Sequence, residues 1–218
     1  MRVSSKVLIL GVSALVLGAK PVHAFSSFSF TQDVSTPLLI TVNDEQSVAA
    51  EQFIDRMASD AIAFLGDESL SDADKQKQFN RLLTRSFDMS TIGRFALGRY
   101  WRVSSAEQRK EYQKLFRDMI VEVYSRRFGE YNGQKLEIRG SRRDNDKDVT
   151  VNSFIVPDDG GQEVQVDWRV RHKKGQYKVI DVMVEGVSMA LTQRSDFSSV
   201  IQRGGGEVSV LLAHLREQ

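Results

Sequence analysis

The chain has three imidazoles, at positions 23, 172 and 214, and no thiol. His23 lies in a leader expected to be removed. His172 and His214 stand far apart, with no second imidazole near either in sequence. A two-histidine metal site or a histidine-dependent triad therefore lacks its members. Zero cysteines also remove thiol catalysis, thiolate metal ligation and any disulfide framework. The chain contains no His-Glu-x-x-His, no Gly-x-Ser-x-Gly and no phosphate loop ending in Gly-Lys-Ser/Thr. Gly204-Gly205-Gly206 lacks the Lys-Ser/Thr that would serve a phosphate and reads as a joint between two helices. No catalytic residue and no metal ligand is assigned on these grounds.

Two carboxylate groupings remain. Asp144, Asp146 and Asp148 have the opening spacing of a calcium loop, but Val149 replaces the required glycine and Ile155 the bidentate glutamate, so a solvated hairpin turn is the better reading. Asp181 is placed by strand alternation on one face with Tyr177, Val179 and Met183. A carboxylate on an apolar face could be a general base of raised pKa, as in isomerase-like pocket enzymes built on a helix-backed sheet. It could equally be an acid paired to an arginine or capping a neighbouring backbone.

Apolar residues at Ala50, Phe53, Ile54, Met57, Ala61, Phe64 and Leu65 have helical spacing after Asp44. Ser71 with Asp74 opens a second helix through Phe79, Leu82, Leu83 and Phe87. Asp88 caps a short third, which Gly98 ends. Ser104 and Glu107 open the longest, whose apolar stripe runs from Tyr112 through Phe116, Met119 and Val123 to Tyr131. The period then changes to two, predicting strands over 136–143, 149–156, 163–173 and 177–185 on short Asp/Asn/Gly/Pro/Lys turns, followed by helices over 191–202 and 207–216. Short turns require antiparallel neighbours. The expected fold is α+β, a four-stranded antiparallel meander covered on one face by helices.

Arg2 and Lys6 precede an uncharged apolar run over 7–19 and then Val22-His23-Ala24, the pattern of a cleavable signal peptide over 1–24. The run is shorter than the roughly 20 apolar residues of a membrane span, and there is no cysteine to acylate. A Ser/Thr-rich tether over 25–43 and a single domain over 44–218 complete the expected organisation. The formal net charge of +1 includes Arg2, Lys6 and Lys20 of the leader, which holds no acid, so the remainder carries −2. Such a balance argues against a general binder of nucleic acid or anionic membrane.

Three segments, in order and spacing, resemble one known family. They are Phe87-Asp88-Met89-Ser90-Thr91-Ile92-Gly93-Arg94-Phe95-Ala96-Leu97-Gly98-Arg99-Tyr100-Trp101-Arg102, then 108–116, then 177–188 followed by Arg194-Ser195-Asp196-Phe197. They resemble the MlaC or toluene-tolerance family of periplasmic phospholipid-binding proteins, over nearly all of residues 45–215. The resemblance implies a non-enzymatic, monomeric periplasmic carrier with no cofactor, whose cargo is a phospholipid. The carrier would shuttle lipid between an outer-membrane lipoprotein complex and an inner-membrane ABC transporter complex, in outer-membrane lipid asymmetry. A hopanoid-associated branch makes another lipid the nearest alternative. The resemblance also implies an apolar ligand cavity between sheet and helices, for which Phe95, Tyr100, Met119, Val123, Val151, Val166, Trp168, Val170, Val182, Val184 and Met189 are the expected lining. Arg94, Arg99 and Arg102 are expected to meet a head group or a partner, or to form a solvated face. A protein-interaction adaptor with a solid core is the third reading.

Overall fold

Helix-period residues at 50, 54, 57 and 64 give the first described element a buried face. The computed structural model describes residues 45–217, so the expected signal segment and tether lie outside the described residues. That first helix, α1 (Glu45–Leu65), lays Ala50, Ile54, Met57 and Phe64 against the sheet. The Ser141 hydroxyl, donating to the Glu51 carboxylate at 2.6 Å, ties it to the first strand.

Next comes α2 (Asp72–Ser86), capped by Ser71, whose Oγ accepts from the Asp74 amide. Then α3 (Met89–Leu97) is capped by Asp88, whose carboxylate accepts from the Thr91 amide at 2.9 Å. Both caps satisfy amides that the first turn of a helix leaves without partners. Gly98 ends α3 at φ 57°, ψ −129°, a conformation that favours glycine.

One short element was not expected. Residues Tyr100–Val103 form a single turn, α4, closed by the Ser104 hydroxyl on the Tyr100 carbonyl and by Arg109 donating to the carbonyls of Trp101 and Arg102. The long helix α5 (Ala106–Ser125) is therefore opened by Ser105 rather than Ser104. Ser105 forms a reciprocal capping box with Gln108. A 3-10 turn (Phe128–Glu130) follows, and Phe128 packs edge-on to Phe64 and Phe79.

The strands are β1 (Lys135–Arg143), β2 (Asp148–Val156), β3 (Val164–Lys173) and β4 (Gln176–Val184), an antiparallel meander. A two-residue β5 (Val187–Ser188) pairs with the end of β4, so the sheet has five strands where four were expected. The same edge of β4 is met by a parallel bridge from Phe87 to Val179, so short segments cover an edge that would otherwise offer unpaired groups. Helices α6 (Met189–Arg203) and α7 (Val208–Arg216) close the domain. Among the described residues no helix is long and apolar enough to cross a membrane.

Two bulges set which side chains face inward. The β1–β2 register shifts between Ile138 and Gly140, and the β3–β4 register shifts so that Val170 pairs with Val179 but Trp168 with Val182. The extra residue in β4 reverses the face parity beyond it. Tyr177 and Val179 consequently share the inward face with Val182 and Val184, while Asp181 pairs with Arg169 and Met183 with Asp167 on the outward face. This corrects the uniform alternation expected for β4, which grouped Asp181 with Tyr177 and Val179.

Two separate apolar clusters result. One joins α1 and α2 to the sheet through Ile54, Phe64, Leu82, Val149, Val151, Val170 and Val179. The other lies wholly among α3 to α7, around Tyr112, Phe116 and Phe197, whose rings meet at 5.8–6.1 Å. At its centre the Tyr112 hydroxyl donates to the Gly93 carbonyl at 2.9 Å, and burial pushes its pKa up.

Candidate functional site

The inward face of the sheet is built in cross-strand rows. Val149, Val170 and Val179 form one; Val151, Trp168 and Val182 the next; Ser153, Val166 and Val184 the third. The first row, with Val151, is filled core beneath α1. The third row differs. Val166 and Val184 are buried, yet neither belongs to the cluster under α1 nor to the helical one. They sit where the sheet runs toward β5 and the start of α6, which opens with half-buried Met189.

A polar residue stands in that row. Ser153, fully buried, accepts from the Trp168 indole N–H at 2.9 Å and donates to the Val166 carbonyl at 2.6 Å. Its hydroxyl and the indole are thereby satisfied internally, and the wall keeps an apolar surface. Alternation singles out the valines and Trp168 but gives no signal for this serine.

The other expected cavity residues divide between surroundings. Tyr100 and Met119 belong to the helical cluster, and Trp168 and Val182 pack on the sheet cluster. Phe95 and Val123 are exposed on their helices. The structure therefore brings Val151, Val166, Trp168, Val170, Val182 and Val184 together on one sheet face, apart from the helical group. The described residues include two open clefts. One, of about 370 Å³, lies between Arg99, Tyr100 and Val103 on one side and Gln202 and Gly206 on the other. The second, of about 260 Å³, lies between α2 and α5.

Arg94, Arg99 and Arg102 project from α3 and α4 into solvent. Arg94 lies 5.8 Å from the centre of the Trp101 ring, which Arg109 also approaches at 5.4 Å. Arg99 covers Tyr100 at 4.9 Å and donates to its hydroxyl. Arg194, not singled out from sequence although it lies in a quoted segment, covers Phe95 at 5.4 Å. These are cation–π geometries, available because no acid occupies the guanidinium.

The carboxylates considered for chemistry have structural partners. Asp181 accepts from the amides of Val182 (2.9 Å) and Ala190 (3.1 Å) and from the Ser188 hydroxyl (2.6 Å), while Ser188 caps α6. It is thus a backbone cap linking β4 to the start of α6. Asp148 is held bidentately by Arg171 at 2.7 and 2.8 Å, with Arg169 at 3.5 Å. Hydrogen bonding from Arg171 keeps its carboxyl below the usual carboxylate range. Asp144 accepts from Thr150 and Arg142. Among the described residues no cluster of three or more His, Asp or Glu is placed to hold a metal ion. His172 stacks on Tyr177 across the β3–β4 hairpin, and His214 lies on α7.

Comparison with known proteins gives the fold its relatives. The solved structure of a phospholipid-binding protein from Ralstonia solanacearum in complex with a phospholipid superposes with a TM-score of 0.67. The match has 25% identity and covers 77% of this chain and 95% of that one. The intermembrane phospholipid transport system binding protein MlaC of Haemophilus influenzae is 26% identical over 121 residues, 54% of this chain and 56% of the relative. Toluene tolerance protein ttg2D of Pseudomonas putida is 25% identical over 130 residues, 59% of this chain and 60% of the relative. The matches thus span just over half the length of these curated relatives. The family model described as MlaC protein matches residues 55–217, nearly the whole described fold, and the chain belongs to the MlaC family.

Proposed function

We propose that this protein is a periplasmic phospholipid carrier that passes lipid between an outer-membrane lipoprotein complex and an inner-membrane ABC transporter complex, and so serves outer-membrane lipid asymmetry. The observation that carries the reading is the shared fold with a protein whose structure holds a phospholipid, over 95% of that protein's length. The names of the two curated relatives, phospholipid transport in one and toluene tolerance in the other, support the same role.

Physical chemistry supplies the reason for such a carrier. Each methylene taken out of water is worth about 0.8 kcal/mol, so the ~30 of a diacyl lipid hold it in its bilayer by on the order of 24 kcal/mol. A protein that moves it must offer apolar surface in place of water, with no need for a nucleophile, base or metal. The acyl chains fit best between the sheet and the helical cluster, along Val166, Val184 and Met189, with Trp168, Val182, Tyr100 and Met119 flanking. Phe95, Val123, Val151 and Val170 complete the proposed lining. Arg94, Arg99 and Arg102 are the proposed contacts to a phosphate head group or to a partner surface.

The test is direct. Protein purified in its natively processed form is extracted with organic solvent, and the extract is analysed by mass spectrometry; phospholipid in near-stoichiometric amount is expected, along with uptake of labelled phospholipid from liposomes. Absence of both would sink the proposal, and a hopanoid in the extract would reassign the cargo.

A further inference from the structure

From Met89 to Ala106 the chain carries no acidic residue and three arginines. The fold joins this stretch to the start of α6, because Arg194 lies over both Phe95 and Gly98, where an added Cβ would come within 2.8 Å of its Nε. The surface so formed holds Arg94, Arg99, Arg102 and Arg194, none with a carboxylate partner among the described residues. Elsewhere several arginines meet acids, Arg139 with Glu163, Arg171 with Asp148, Arg126 with Glu122 and Arg216 with Glu111, whereas Arg109 and Arg117 of α5 donate to oxygens of uncharged groups. The nearest acid on α6, Asp196, is two positions from Arg194, a spacing that does not bring side chains together.

The same surface exposes apolar side chains. Phe95 is 43% exposed, Leu191 56% and Val103 76%, three of the six large exposed hydrophobics of the described residues. Trp101 lies between two guanidiniums with its ring partly open to solvent. Basic side chains interleaved with exposed Trp, Phe and Leu make the composition of a surface that settles into the interface of an anionic bilayer, the cations meeting phosphates and the apolar groups entering the head-group boundary. Phe95 under Arg194 and Val103 in the cleft with Arg99 are open apolar groups for which an acidic protein surface alone has no use. The near-neutral charge of the whole chain hides this local asymmetry.

We propose that the face formed by α3, α4 and the start of α6 docks the protein directly on anionic phospholipid bilayers. This docking uses the arginines proposed above as head-group or partner contacts, here meeting phosphates of the bilayer surface, and it does not require lipid to be carried inside. The probe is vesicles of phosphatidylcholine with 30% phosphatidylglycerol, against pure phosphatidylcholine, in flotation assays at low and high salt with the natively processed protein. Binding to the anionic vesicles alone, weakened by salt, is expected. The triple variant R94Q/R102Q/R194Q is expected to lose on the order of 100-fold in partitioning, at about fivefold per arginine. V103S/L191S, which leaves charge unchanged, is expected to lose about tenfold.

A control, K77Q/K114Q/R126Q on α2, on α5 and at the C-cap of α5, removes the same charge elsewhere and should bind as wild type. Circular dichroism melts verify that each variant folds. Wild type failing to float with anionic vesicles overturns the proposal, as does a control that loses as much as the face variant. So does a wild type that ignores vesicles while R94Q/R102Q/R194Q abolishes cross-linking to an acidic protein, since the face would then belong to that partner.

Discussion

Replacing Asp181 separates a structural carboxylate from a catalytic one. Its Oδ1 accepts the amides of Val182 and Ala190, and its Oδ2 accepts the Ser188 hydroxyl. In Asp181→Ala both amides lose their partner in a half-buried site, at about 1–1.5 kcal/mol each, for a loss of ~2–3 kcal/mol. Asp181→Asn keeps an uncharged oxygen for the two amides and puts an NH2 donor opposite Ser188, whose hydroxyl must then accept instead of donate, a loss of about 1 kcal/mol. For a domain of this size each kcal/mol moves Tm by about 2–4 °C, which gives a fall of ~4–12 °C for alanine and ~2–4 °C for asparagine. Thermal melts by circular dichroism read both values, and lipid content and uptake are measured on the same samples at 25 °C, below either transition. The expected result is two graded melts with lipid handling intact. An alanine variant that melts like wild type would refute the capping role. An asparagine variant of normal stability that loses a turnover would refute the assignment of this acid to structure.

Other perturbations test the sheet and the helix joint. Asp148 is only 2% exposed and its carboxyl is held below the usual value by Arg171 first, so it contributes stability above about pH 4 that is lost as pH falls through its depressed folded value. Asp148→Asn should therefore cost ~2 kcal/mol at neutral pH, less than a fully buried pair because Arg171 and Arg169 are partly solvated, and should flatten the acid limb of a stability-against-pH curve measured in urea. Gly98→Ala forces a side chain into φ 57° and against Arg194, so a loss of about 1–3 kcal/mol is expected in the same urea titrations.

The parts of the fold legible in sequence are those governed by neighbours in the chain. The caps at Ser71 and Asp88 involve residues three apart, and each forms as its spacing requires. The Gly204 joint is legible in kind, and the structure adds its cause: a Cβ there would lie 2.6–2.8 Å from the Val210 side chain of α7. What escaped depends on contacts distant in sequence. Ser104 and Ser105 are equally good caps on paper. The choice between them is made by Arg109, eight residues from Trp101, whose bonds hold α4 as a separate turn. The bulge in β4 leaves no mark in composition, yet it moves Val182 and Val184 to the face that Tyr177 and Val179 share and sends Asp181 to the other.

The candidate site shows the same division, and it bears on how a packed domain could carry a lipid. Apolar alternation identifies a wall but not what lies opposite it, so Val170 and Val166, four residues apart on β3, look alike in sequence. In the fold Val170 is locked under α1, whereas Val166 and its partner Val184 belong to neither cluster. Fully exposing a valine costs about 1.5–3 kcal/mol, and acyl chains that take the place of the parted layer return apolar contact to the same residues, so the cost is offset once the lipid is seated. In the proposed carrier this row is where the layers part first. The core under α1 and the Tyr112–Phe116–Phe197 cluster have no residue in common and hold the fold on either side, each contributing to the proposed lining, Val151 and Val170 from the one and Tyr100 and Met119 from the other. A serine at the centre of the row is tolerated because its bonds run to Trp168 and Val166 within the sheet itself and do not depend on the helical layer.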